Sequence, residues 1–287
     1  MVYEDKNKNE SLFHATLIYL KIVSAGTASG NKKLKEFLEK YGSFEGIYNV
    51  YKGSMSIEDS LKKIKGLENI INKLNNLNFD FKVITIKDIN FPEHLRKIEN
   101  ATPVLYARGD LNLLNKKSIA VVGSRHIYPN KDRQVYEEAY DVMKRLVEKK
   151  YVIVSGLAEG CDTIGHIQTI ENGGKTIAVL GTPLDQYYPS SNKNLQEKIA
   201  REHLLISQYP IGIRTFKSYF TNRNHTTVSL ATEGIVVIKA SDNSGTMHAV
   251  KFCSEQKKPI YVLANNFSNN YKWLEIYKNF IKRVDKK

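Results

Sequence analysis

The chain has 287 residues, 41% hydrophobic and 25% charged, and its 43 lysines and arginines against 30 acids leave a formal charge of +13. Such a composition belongs to a globular protein of one large or two smaller domains, with no low-complexity linker. A balance this basic points to a polyanionic partner, nucleic acid or an anionic surface, although a Lys-, Asn- and Ile-rich usage contributes part of it.

Two cysteines, Cys161 and Cys253, stand far apart without CxxC spacing, so neither a disulfide framework nor a zinc site is expected. The start lacks a basic leader region, and no apolar run approaches the ~18–20 residues of a membrane span. A soluble, cytoplasmic protein without membrane contact is expected.

From Asn9 to about Leu77 the pattern is helical. Leu12, Ala15, Leu17, Ile18, Leu20 and Ile22 form a wide apolar stripe, and Leu34, Phe37, Leu38 and Tyr41 follow at spacings of three and four. Gly42-Ser43 ends one helix and caps the next, and Leu67, Ile70, Ile71, Leu74 and Leu77 outline another. His14 stands alone there, which favours a packing module over a chemical one.

Between Phe79 and Asp110 the period changes. Phe79, Phe81 and Val83 alternate with polar residues, and Val104-Leu105-Tyr106-Ala107 reads as a short strand of a connector that adds edge structure to the sheet after it. Strands are then predicted at Ile119 to Val122, Val152 to Val154, Thr176 to Leu180, Leu204 to Ser207, Ile235 to Ile238 and Ile260 to Leu263. Asp132 to Lys149 and Thr163 to Asn172 carry helical spacing between them, and Asn270 to Lys282 reads as a closing helix.

This alternation predicts an α/β fold, doubly wound, with a mostly parallel Rossmann-like sheet. A small all-helical domain over residues 1–78 precedes it, and the sheet domain takes 79–287.

Ligands of such sheets gather at the carboxyl ends of the strands. The segments there are Gly123-Ser124-Arg125, Ser155 to Asp162, Gly181-Thr182-Pro183, Gln208-Tyr209-Pro210 leading to Asn222-Arg223-Asn224-His225, and Ser241 to Thr246. Small residues before a helix let backbone N–H groups approach an anion, helped by the helix dipole. Asp162 also fits the N-cap of the helix after its loop. A dinucleotide fingerprint is missing: Gly123-Ser124-Arg125-His126-Ile127-Tyr128 lacks the second and third glycines, and no carboxylate follows the next strand.

Arg125 instead sets a planar, permanently charged fork where phosphate would sit, unless it pairs with a nearby carboxylate. The segment Ile211 to Lys239 interleaves Arg214, Lys217, Arg223, His225 and Lys239 with Phe216, Tyr219 and Phe220 against one acid, Glu233. Cations along a path with rings that can stack are what single-stranded nucleic acid requires; loop packing is the other use of those rings. His166 and His248 read as core histidines.

In this order the motifs resemble the DNA-processing protein A family (DprA or Smf): Gly123 to Arg125, Ser155 to Asp162, Tyr188 to Asn192, Phe220 with Arg223-Asn224-His225, and Ser244 to Thr246. The connector with Phe91-Pro92, Leu95 and Pro103 to Tyr106 agrees, as does the helical N-terminus, which the resemblance makes SAM- or HhH-like. The resemblance implies a sequence-independent single-stranded DNA-binding protein. It would protect incoming DNA and help load RecA recombinase in natural transformation, usually as a homodimer. Without paired carboxylates in a metal-ligand pattern, neither metal, cofactor nor catalysis is expected.

On that basis Gly123, Ser124 and Arg125 hold a phosphate, Arg223 and Lys217 take neighbouring ones, and Phe220 offers a stacking face. Ser155, Gly156, Ala158, Gly160, Asn224, His225, Ser244, Gly245 and Thr246 complete the expected DNA-binding set. The sequence departs from the family at His225 (an arginine there), Gln208 (a glutamate) and Ala264-Asn265 (Pro-Gly), and a winged-helix extension is not expected. Two rivals use the same fold: a sensor of a nucleotide-derived messenger, and a phosphoribohydrolase-like enzyme, whose glycine pair and glutamate are missing from Asn243 to Ala249.

Overall fold

The computed structural model describes residues 3–53, 59, 66–128 and 130–285. Two compact units divide the chain: residues 1–108, 180–186 and 206–222 form the first, and 109–179, 187–205 and 223–287 the second.

In the first unit the helices Lys6–Tyr19, Ala28–Tyr41, Phe44–Tyr51 and Leu67–Asn75 bury part of the stripes read from the sequence, while Ile18, Phe37, Tyr41 and Ile71 stay half-buried. Leu12, Leu17, Leu34, Leu38, Ile70 and Leu74 are buried. Gly42, at φ 83°, closes one helix in a conformation a β-carbon disfavours, and Ser43 caps the next by accepting the Gly46 N–H. This unit extends past residue 78 because strands β1 (Lys82–Thr85) and β2 (Val104–Gly109), an antiparallel pair, are joined to the helices. The Val83 N–H donates to Asn7 Oδ1 at 2.9 Å, and His14 Nδ1 lies 2.9 Å from the Tyr106 hydroxyl. His14 is thus a buried core histidine, stacked on Phe44.

The remaining strands are β3 (Ser118–Val122), β4 (Val152–Ser155), β5 (Lys175–Leu180), β6 (Leu204–Ser207), β7 (Ile235–Val237), β8 (Ile260–Leu263) and β9 (Ile281–Val284). The nine run in the order β1-β2-β6-β5-β4-β3-β7-β8-β9. Pairs β3–β4, β4–β5, β3–β7, β7–β8 and β8–β9 are parallel, as the alternation of strands and helices predicted. Strands β3, β4 and β7 are buried along their whole length, which is why they read as unbroken apolar runs. Ile119, Val121, Ile153 and Val236 pack with Val135, Ala139, Val142 and Met143 of the helix Arg133–Glu148 and with Cys161 and Ile164 of the helix Cys161–Glu171.

The chain end differs from its sequence reading. Asn270 to Lys282 is not one helix: Lys272–Ile276 is a short helix, and Ile281–Val284 adds β9 beside β8. Helical spacing lost because the free edge of β8 offers its backbone groups to partners, and Ile260 N–H donates to Phe280 O at 2.8 Å.

Candidate nucleic-acid interface

Strand β3 is the point where the order reverses, with β4 on one side and β7 on the other. Loops leaving β3 and β7 therefore part in opposite directions and leave a crevice at their carboxyl ends, the usual ligand position of such sheets. The three loops after β3, β4 and β7 are knit through backbone: Ser124 N–H donates to Lys239 O at 2.7 Å, and Cys161 N–H to Ser124 O at 3.0 Å. No room remains for a side chain at Gly123 or Gly160 of this junction. A β-carbon on Gly123 would meet the Cys161 thiol, and one on Gly160, at φ 73°, would strike Ser124 O.

Several expected donors are consumed by this framework. The Ser124 N–H is taken by Lys239 O, and the Ser124 hydroxyl accepts the His126 N–H at 3.1 Å. Ser155 is buried, its hydroxyl donating to Val121 O at 2.6 Å, so it holds β4 to β3 instead of facing a ligand. The Ala158 N–H is aimed at Asp162 Oδ2, 3.3 Å away. Asp162 is not the N-cap: the helix begins at Cys161 behind Gly160, and Asp162 sits in its first turn. Burial raises the Asp162 carboxyl above the ordinary carboxylate range, opposed by the Arg223 guanidinium, the Ala158 N–H and the field of Arg125.

The expected phosphate ligand Arg223 is likewise turned inward. The segment that holds it is a helix, Lys217–Leu230, and not a loop. The Arg223 guanidinium is buried and donates to Gly156 O and, at 2.7 Å, to Val179 O. Gly156 is a glycine because a β-carbon would fall on that guanidinium. Asn224 is half-buried beside it, and His225 packs edge-on against Phe252 at 4.9 Å. Burial lowers His225 to about 4, so it is neutral over the physiological range and is not a weaker substitute for an arginine.

Other groups do face outward. Arg125 is exposed and, among the described residues, its guanidinium has no hydrogen-bond or ion-pair partner. Gly245 is exposed with open space around its α-carbon, Ser244 is half-buried, and its hydroxyl accepts the N–H of the buried Thr246 at 3.0 Å. The helix Thr246–Glu255 starts there, and His248 on it is exposed, not a core residue; His166 is buried, with Nδ1 2.7 Å from the Thr176 hydroxyl. Among the described residues no group of His, Cys, Asp and Glu is arranged for a metal, and both cysteines are buried free thiols. No described helix is long and apolar enough to cross a membrane.

In the first unit Lys217 is exposed, and half-buried Phe220 lies where a β-carbon on Gly181 would touch its ring. Tyr219 is buried, stacked on Tyr209 with ring centres 4.0 Å apart, and so offers no face to a base.

Two supports escaped the sequence reading. Buried Asn192 donates to Leu157 O at 3.0 Å and to Thr163 Oγ1 at 2.8 Å, clamping the loop after β4. Lys258 donates to Val228 O and Ala231 O at 3.1 and 2.7 Å, capping the carboxyl end of the helix that carries Arg223. The asparagine lies at the end of the Tyr188 to Asn192 motif, a signal that was visible; nothing in the sequence marks Lys258.

Residues 82–273 match the family described as DNA recombination-mediator protein A. The DNA processing protein DprA of Streptococcus pneumoniae is 37% identical over 183 residues, 64% of this chain and 63% of that protein. Protein Smf of Synechocystis is 33% identical over 216 residues, 70% of this chain and 53% of its own length. The matched region thus spans less than two thirds of these curated relatives. The X-ray structure of the pneumococcal protein aligns with a TM-score of 0.73 at 26% identity, covering 98% of this chain and 95% of that one. A structure of DNA processing protein A from Helicobacter pylori, described for its single-stranded DNA binding mode, aligns at 0.62 with 25% identity over 72% of this chain and 92% of that one. The chain belongs to the DNA recombination-mediator protein A family.

Proposed function

We propose that the chain binds single-stranded DNA without sequence preference at the crevice between the β3 and β7 loops, as a binding protein and not an enzyme. In recombination it would shield incoming strands and help RecA recombinase load onto them, working in the cytoplasm as a homodimer. The observation that carries the DNA reading is Arg125: a permanently charged fork, exposed and without a partner among the described residues, on a loop whose backbone is locked at the switch point of the sheet. Gly245 presents open backbone from the loop after β7, and Lys217 is a separate exposed cation. Arg223 and Ser155 act one step back, holding the loops that the strand would touch. The Helicobacter pylori relative supports the choice of single strands; the RecA, dimer and transformation parts rest on family membership.

The test is a titration of single-stranded and duplex oligonucleotides across salt. Binding should prefer single strands and weaken with a slope of about −0.7 per neutralised phosphate. A flat salt dependence, or tighter binding to duplex, overturns the reading. With Mg²⁺ present the strand should stay intact and nucleoside monophosphates should keep their base, whereas a product that disappears on mutating a loop residue would favour the enzyme. For the finer part, RecA assembly on a single strand should speed up when the protein is added.

A further inference from the structure

We propose that Tyr128 is a base-stacking platform of the bound strand, with Lys131 beside it as a cation for the adjoining phosphate; this rests on the single-strand reading above. Tyr128 follows Arg125 on the loop after β3 and is 50% exposed, while its neighbour Ile127 is buried in the core at 3%. The ring is thus left half in water beside a buried plug. Among the described residues its hydroxyl has no hydrogen-bond partner either.

The ring is nevertheless held on fixed backbone. Tyr128 N–H donates to Asp132 Oδ2 at 3.2 Å, and Tyr128 O accepts the Lys131 and Asp132 N–H groups at 2.9 and 2.8 Å. Asp132 is anchored in turn by Lys239 Nζ at 3.1 Å, at the end of β7. The same backbone segment that continues from the phosphate-holding arginine therefore presents a flat face in a set place. A tyrosine has two side-chain torsions to lose on stacking, so little of the contact energy is spent on ordering it. The Lys131 ammonium lies over the ring, 5.8 Å from its centre, which puts a positive charge against one face of the platform. Cation and ring on one loop meet both needs of a nucleotide, its phosphate and its base face, with no demand on base identity.

The experiment uses the full chain. Its single tryptophan, Trp273, is buried, so Tyr128→Trp places a second, exposed fluorophore at the platform. Oligo(dT) should change the emission of that variant, and an abasic deoxyribose-phosphate oligomer of equal length should bind more weakly without changing it. Tyr128→Ala should weaken oligo(dT) binding about 5- to 150-fold, the equivalent of ~1–3 kcal/mol for one stacked base, and Tyr128→Phe should restore it.

Unaltered affinity in Tyr128→Ala, or emission of Tyr128→Trp that stays constant while the strand binds, overturns the platform and leaves the single-strand reading standing. If the unmodified chain fails to bind, or Arg125→Glu binds as tightly as it does, the single-strand reading itself falls and the platform with it.

Discussion

Two arginine-bearing regions that look alike in sequence have opposite fates. Gly123-Ser124-Arg125 places its guanidinium in water at the end of β3, while Arg223-Asn224-His225 turns its own into the protein, onto Gly156 O and Val179 O. A guanidinium is strongly favoured wherever carbonyls or phosphates converge, so the charge alone does not say which it meets. What separates the two is the local frame. Arg125 leaves a loop whose backbone is tied to the β7 loop, and Arg223 projects from a helix beside the carbonyls of Gly156 and Val179. Two cations of neighbouring motifs thus divide into one that faces water and one that is turned inward.

The division can be broken most strongly at the buried end. Arg223→Leu removes charge-assisted hydrogen bonds from a buried guanidinium to two carbonyls, which should cost about 3 kcal/mol of unfolding free energy. Urea denaturation measures it, and a stability equal to wild type would show that the inward guanidinium holds nothing. Arg223→Lys should recover little, since one ammonium cannot reproduce the planar fork.

Gly156→Ala tests the same frame from the other side. Its β-carbon would overlap the guanidinium, so a loss of about 1–3 kcal/mol is expected from forced displacement. Gly245→Ala, with nothing near its α-carbon, should stay within about 0.5 kcal/mol. Equal effects of the two alanines would mean that the loops are not interlocked as described.

Acid sharpens the contrast for His225. Its pKa is lowered to about 4 in the fold, against ~6.5 unfolded. Proton binding then favours the unfolded chain, so its contribution is fully present above about pH 6.5 and is lost as pH falls toward 4. His14 and His166, both lowered to about 3 by burial, add losses of the same sign. Denaturation between pH 7 and pH 4 should show a decline that His225→Asn makes shallower; an unchanged slope would place His225 in solvent. Binding of single strands should owe nothing to its charge between pH 8 and 5.5.

The smallest effect on stability belongs to the exposed Arg125. Arg125→Glu should leave the unfolding free energy within about 0.5 kcal/mol while lowering strand affinity at least ~10-fold and reducing the salt slope by about 0.7. A large drop in melting temperature instead would mean that Arg125 is structural, as Arg223 is.

Much of this molecule was legible before folding. Unbroken apolar runs such as Ile119 to Val122 and Leu204 to Ser207 give strands within a residue or two of those observed, because a sheet buried on both faces leaves no polar alternation to read. The glycine positions were visible too, although their reason was not. Gly123, Gly156 and Gly160 looked like donors to an anion, and they serve first as clearances where three loops and one guanidinium meet.

What sequence determined by itself was therefore periodicity and punctuation: the helical start, the order of strands and helices, the small residues after each strand, and the basic excess. Those follow from local propensity and from the 2.0 and 3.6 periods of side-chain direction, which need no partner to be read. Only tertiary structure decided which cation faces water, why Tyr219 is buried and Tyr128 exposed, and that the last residues pair as β9 beside β8. Each of these depends on which unsatisfied backbone groups and apolar faces lie nearby in space. Hydrogen-bond satisfaction and burial are properties of neighbours far apart in the chain, and no local pattern encodes them.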